Sequence, residues 1–103
     1  MRVRLFRVTG NSMFPAYPAG DYVLAWRHPL QRFAAGDVVV VDHPSYGRII
    51  KRIAAVDADR RLRLTGDNVE ESTASQLLGD VGSDRIVSRV ICRIGPARMH
   101  AAG

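Results

Sequence analysis

The sequence predicts a mostly β fold, a single compact coiled β-barrel domain spanning residues 1–103 with its core from about residue 5 to 96. Three observations predict it. The chain has 103 residues, 47% hydrophobic and 24% charged, which suits one hydrophobic core and leaves no room for two. Its apolar residues fall in short runs punctuated by Gly, Pro and Asp, the signature of strands and turns. Those runs add up to five to seven short strands at short spacing, and at this size a closed or coiled sheet is the economical way to remove exposed edges.

Taken in order, Met1-Arg2-Val3-Arg4-Leu5-Phe6-Arg7 carries charge throughout, so it has no signal-peptide core. Tyr22-Val23-Leu24-Ala25-Trp26 reads as a strand after a Gly20-Asp21 turn, and Gly36-Asp37 opens a second, Val38-Val39-Val40-Val41. His43-Pro44-Ser45-Tyr46-Gly47 is a loop, followed by a long strand from Arg48 to Val56. Asp57-Ala58-Asp59-Arg60 turns the chain into Arg61-Leu62-Arg63-Leu64-Thr65, which alternates cleanly and stops at Gly66-Asp67-Asn68. Residues 69–84 are polar and irregular. In Arg85 to Ile94 the apolar residues Ile86, Val87, Val90, Ile91 and Ile94 also fit a helical face, but β-branching favours a strand.

Composition excludes several functions. No run approaches the roughly 20 apolar residues that span a bilayer, so the chain is expected to be soluble, without an integral membrane segment, and cytoplasmic. The lone Cys92 rules out an internal disulfide framework and a multi-cysteine zinc site. His28, His43 and His100 show no metal-ligand spacing, so no metal and no cofactor is expected.

The charge pattern is more telling than the net +5. Of 15 basic residues, 14 are Arg and one is Lys51. Coding bias accounts for scarce Lys but not for the survivor. A guanidinium stays charged, whereas an amine can be desolvated into a base.

Gly10-Asn11-Ser12-Met13-Phe14-Pro15 is the second signal. A Ser after Gly-x and before an apolar residue and Pro sits on a constrained turn. Such a turn can expose its hydroxyl and converge backbone N–H groups as an oxyanion hole; an ordinary turn serine has the same pattern. Lys51 lies between Ile50 and Ile53, where burial would favour the neutral amine. A neutral amine beside a Ser hydroxyl is a general base needing neither His nor Asp. Strand alternation equally permits Lys51 on a wet face, with Ile50 opposite. A Ser12–His43–Asp42 triad can be written but has no local signature.

The boxes Val8-Thr9-Gly10-Asn11-Ser12-Met13-Phe14-Pro15, Gly20-Asp21, Gly36-Asp37-Val38-Val39, Ile50-Lys51-Arg52-Ile53 and Gly66-Asp67-Asn68 with Ser72 resemble, in order, those of the type I signal peptidase family. The resemblance runs from Val8 to about Pro96. It implies a serine peptidase with a Ser/Lys dyad on the coiled barrel of the signal peptidase and LexA-type catalytic core. It implies Ser12 as nucleophile, Lys51 as general base and Ser72 as the hydroxyl that orients the lysine. Met13, Arg52, Asp67 and Asn68 would support the site. Gly10, Asn11 and Ser12 form the nucleophile turn, with the Ser12 N–H in the oxyanion hole. The substrate would be a protein or peptide, cut after small residues.

Three departures accompany the resemblance. Gly10 stands where many members have a hydroxyl, Ala74-Ser75-Gln76 where Asp-Ser-Arg is frequent, and the membrane anchor and large second β-domain have no counterpart. The chain also resembles the short soluble branch, the nickel-type superoxide dismutase maturation proteases, which remove a leader peptide. A second likeness is to self-cleaving repressor peptidases. Eleven residues precede Ser12, with no Ala-Gly or Cys-Gly pair among them, so only a trans-acting relative is expected. The remaining alternative is a non-catalytic or degenerate binding module with a basic face at Arg85, Arg89, Arg93 and Arg98. The Arg residues there are interleaved with acids and lack a stacking-aromatic pattern, so nucleic acid is not the expected partner.

Overall fold

A computed structural model describes residues 2–68 and 79–95. Seven strands build one sheet: β1 (Arg2–Arg7), β2 (Tyr22–Arg27), β3 (Val38–His43), β4 (Gly47–Val56), β5 (Arg61–Thr65), β6 (Asp80–Gly82) and β7 (Ile86–Gly95). No α-helix occurs among the described residues, and only a short 3-10 turn, Ser83–Arg85, precedes β7. No helix there is long and apolar enough to cross a membrane.

Every pairing is antiparallel, and the spatial order is β1-β2-β7-β3-β4-β5-β6. The C-terminal strand therefore lies inside the sheet, between β2 and β3. The expected mostly β class holds, and Arg85–Ile94 resolves as a strand, with β7 running from Ile86. The sheet is not closed, so the expected barrel is not confirmed: no pairing joins the edge strands β1 and β6 among the described residues. The edges are protected in other ways. β1 carries Arg2, Arg4 and Arg7, and β6 is three residues long; charge and shortness both discourage edge-to-edge pairing.

The core follows the strand period. Val39 and Val41 of β3, Ile53 of β4, Leu62 and Leu64 of β5, Val81 and Ile86 form one buried cluster, with Phe33 and Ile49 packed against it. On β5 the alternation Arg61, Leu62, Arg63, Leu64 puts both leucines inside and both arginines outside. β3 is buried over Val38–Val41, as a strand covered on both faces should be.

Two connections are pinned by backbone hydrogen bonds. The segment between β1 and β2 is clasped at its base, where Val8 N–H donates to the Asp21 carbonyl and Gly20 N–H to the Val8 carbonyl, both at 2.8 Å. The turn before β3 is held to β4, with Gly36 N–H donating to Ile53 O and Ile53 N–H to Asp37 O, again at 2.8 Å.

Candidate active site

Ser12 lies in the excursion between β1 and β2. Gly10 has φ +75°, a left-handed conformation that glycine adopts without Cβ strain, and it turns the chain into Asn11-Ser12. Phe14 N–H donates to Asn11 O at 3.1 Å and Tyr17 N–H to Met13 O at 2.8 Å. Met13 is buried, 1% exposed, and anchors the turn while Ser12 stays partly accessible.

The segment after β5 braces this turn from outside. Asn68 N–H donates to Ser12 O at 2.8 Å, and Asn68 Nδ2 donates to Asn11 O at 2.9 Å. In a trans peptide the C=O and N–H point in opposite directions. Two donors on Asn11 O therefore fix the plane that carries the Ser12 N–H and aim that N–H away from Asn68. Gly66 comes closer still: a Cβ built on it would stand 2.6 Å from Ser12 O and 3.2 Å from Ser12 Cβ. Only a residue without a side chain permits this contact.

Lys51 occupies the middle of β4, opposite Val39 of β3. It alternates with Ile49 and Ile53 on the core side and is 7% exposed, so the wet-face alternative does not hold. Across the other ladder, Ile53 pairs with Leu64 and Arg52 with Thr65. Lys51 and Gly66 are the next residues beyond that last pair. Gly66, on which Ser12 packs, thus follows the end of the ladder that Lys51 flanks, although Ser12 and Lys51 lie 39 residues apart, at positions 12 and 51.

The supporting residues are bound together. Arg52 Nε and Nη2 donate to the two Asp67 carboxylate oxygens at 2.8 and 2.7 Å, and Arg52 Nη1 donates to Gly36 O at 2.7 Å. The hydrogen-bonded guanidinium holds the Asp67 carboxyl below its ordinary range, and Asp67 in turn raises Arg52. This forked pair ties β4 to the turns before β3 and after β5. Ser72 lies outside the described residues.

The rival constellations do not assemble. His43 Nδ1 accepts from Ser45 N–H at 3.0 Å and Tyr46 N–H at 3.2 Å, while Asp42 pairs with Arg48 at 3.0 Å on the exposed side. His28 Nδ1 likewise accepts from Leu30 N–H at 3.0 Å. Both histidines serve their own turns. His100, like Arg98, lies outside the described residues. The basic face is partly neutralised: Arg89 pairs with Asp37 at 3.8 Å and stacks over Trp26, and Arg93 pairs with Asp21 at 3.2 Å.

Gly66 and Asn68 as braces of the Ser12 turn, and Gly36 O as a partner of Arg52, are long-range contacts that the sequence does not announce. The one signal is local: a glycine that ends a cleanly alternating strand marks a place where another backbone can come close.

No curated protein and no solved structure matches the chain. A family model described as Peptidase S24-like matches residues 2–81, a stretch holding the Ser12 turn, all of β4 and the Gly66–Asn68 brace. The expected signal-peptidase-like kinship is borne out at that level: the chain belongs to the Peptidase S24-like family, a peptidase-fold domain.

Proposed function

We propose that the protein is a serine endopeptidase in which Ser12 attacks and Lys51 is the general base. The observation that supports this reading is Gly66, which packs on Ser12 and follows Thr65, the partner of Arg52, at the end of the β4–β5 ladder flanked by the buried Lys51. A neutral Lys51 Nζ takes the Ser12 Oγ proton as Oγ adds to the scissile carbonyl. The Ser12 N–H, held in plane by the donors on Asn11 O, stabilises the oxyanion. Lys51 then gives its proton to the leaving amine, and an acyl-serine remains. Lys51 next deprotonates a water, which releases the carboxylate product and frees Ser12. Ser72 is assigned the orienting hydroxyl, on the resemblance alone. The substrate class proposed is a leader or tail on another protein, with the nickel superoxide dismutase precursor as the leading candidate.

The test is mass spectrometry of that precursor after incubation with wild type, Ser12→Ala, Lys51→Ala and Lys51→Arg. Wild type removes the leader and Ser12→Ala does not. Lys51→Arg is as inactive as Lys51→Ala, because a guanidinium cannot accept a proton near neutral pH. Cleavage by folded Ser12→Ala, or retained activity in Lys51→Arg, overturns the dyad. The family also includes non-catalytic members, so the second reading is a peptidase-fold binding module. A serine-directed acylating reagent separates the two: it labels Ser12 in an enzyme and leaves a binding module unlabelled.

A further inference from the structure

One concavity is lined by none of the residues of the Ser12 turn. It has a volume of about 550 Å³, and Arg27, Arg32 and Arg60 line it together with Phe33, Leu62 and Asp84. The three arginines come from three places: the end of β2, the loop that follows, and the β4–β5 turn. Lys51 and this cleft belong to the same face of the β4–β5 hairpin, where Leu62 and Leu64 both point to the core. From Lys51 to Val56, which also lines the cleft, is five residues of β4, roughly 17 Å in an extended strand.

Two features bear on these arginines. Arg48, Arg52, Arg63, Arg89 and Arg93 each pair with an aspartate. Among the described residues, no carboxylate pairs with Arg27, Arg32 or Arg60; Arg2, Arg4, Arg7, Arg61 and Arg85 are likewise unpaired with a carboxylate, but they do not line this cleft. Arg27 instead lies over the Phe33 ring, 5.4 Å from its centroid, and contacts its own loop through His28 O and, at 3.5 Å, Gln31 Oε1. The second feature is backbone strain. Arg60 has φ +61°, the only non-glycine in the left-handed region among the described residues. The turn around it is well formed, with Arg60 N–H donating to Asp57 O at 3.0 Å and Arg61 N–H to Asp57 Oδ1 at 2.9 Å. Glycine or asparagine fits that position more easily. A long cation held there against local preference points to a use for its side chain.

We infer that this cleft binds a carboxylate-bearing peptide segment, an anchoring site for the substrate apart from the dyad; its role in turnover rests on the peptidase reading, its binding does not. Guanidinium forks match planar carboxylates. The apolar floor of Phe33 and Leu62 takes neighbouring aliphatic or aromatic side chains. Asp84 in the lining repels anions and penalises a doubly charged phosphate more than a singly charged carboxylate. Three arginines against one aspartate still leave the lining cationic.

Binding is read without turnover, on Ser12→Ala, by fluorescence anisotropy of a labelled Glu-Phe-Glu-Leu-Glu peptide and its Gln-Phe-Gln-Leu-Gln counterpart. The glutamate peptide binds more tightly, and added salt erodes the difference. Arg27→Gln, Arg32→Gln and Arg60→Gln each weaken it about two- to fivefold, the range of exposed ion pairs. Arg60→Gly also weakens binding yet raises Tm, because it removes both the charge and the strained Cβ; a merely structural Arg60 would move Tm alone. Equal affinity for the two peptides, or no effect of the three Gln variants, overturns the proposal. So does displacement of the peptide by ATP at concentrations below the peptide's own Kd, which reassigns the cleft to phosphate. In an active enzyme the same variants raise KM for acidic substrates and spare kcat. If Ser12 proves unreactive, the anisotropy result stands by itself.

Discussion

A Cβ on Gly66 would stand 2.6 Å from the Ser12 carbonyl oxygen, a backbone atom that cannot swing aside. Gly66→Ala must therefore displace either the end of β5 or the Ser12 turn. Overpacking of this kind costs about 1–3 kcal/mol, and a shift of about 1 Å in a reacting group can cost on the order of 100-fold in rate. The expected variant melts a few degrees lower, folds, and is acylated at Ser12 far more slowly than wild type. Unchanged acylation would show that the glycine is only a turn residue. The base has a residue-scale test of its own. If Lys51 must be neutral to act, kcat/KM rises with pH through one basic group. His28 and His43 satisfy their own turns through Nδ1, so a variant lacking His28, His43 and His100 keeps that rising limb. A limb that disappears with the histidines would make one of them the base. Lys51 is conspicuous in the sequence because it is the one lysine among 14 arginines, and Ser12 because Gly, Met and Pro surround it. Gly66 is not: its constraint comes from a backbone 54 residues earlier, at Ser12.

At the level of the strands and turns, the Arg52–Asp67 pair joins three pieces of backbone, and its protonation gives a stability signature. Arg52 lowers the folded carboxyl of Asp67 beneath its unfolded value, which is about 3.9. Such a group stabilises the fold fully above the unfolded pKa. That contribution is lost as pH falls through the folded one. Asn resembles the protonated acid, so Asp67→Asn destabilises by about 1–2 kcal/mol at pH 7, the scale of hydrogen bonds to charged groups at a partly exposed site. The gap to wild type narrows as the pH is lowered below about 4. Urea titrations of both proteins at neutral and acid pH measure it, and a gap independent of pH would place the loss in packing instead. Strand legibility follows burial in the same way. Arg61–Thr65 is readable because one face is dry and the other wet. β1 has a comparable alternation of Arg with Val and Leu, but Val3 and Leu5 are exposed, so its pattern reflects no buried face. β7 is ambiguous because two bulges against β2 break its two-residue period, which leaves apolar spacing that also suits a helix.

For the whole molecule, the decisive feature is the sheet order. One set of strands, β1 and β2, carries the Ser12 turn; the other, β3 to β6, carries Lys51 and Gly66. β7 pairs with β2 on one side and β3 on the other, so the last strand in the chain joins the two sets. Turn chemistry and alternation speak only for neighbours in sequence, and no local signal states that Ile86–Gly95 lies between strands roughly 45 to 70 residues earlier. Such non-local pairing carries a loop-closure cost before it is rewarded. It also makes the fold all-or-none with respect to β7. A chain ending at Arg85 leaves both β2 and β3 with an unpaired edge, loses Ile86 and Ser88, both buried on β7, and opens to water the residues they cover. That truncated chain should show no cooperative thermal transition and no acylation of Ser12. A synthetic peptide covering residues 86–95, added in trans, should restore both, with a midpoint that rises with peptide concentration because binding and folding are linked. A truncated chain that melts cooperatively and still reacts at Ser12 would mean that the two strand sets hold the site together through the Gly66–Asn68 brace alone, and that the inserted strand is dispensable to the chemistry.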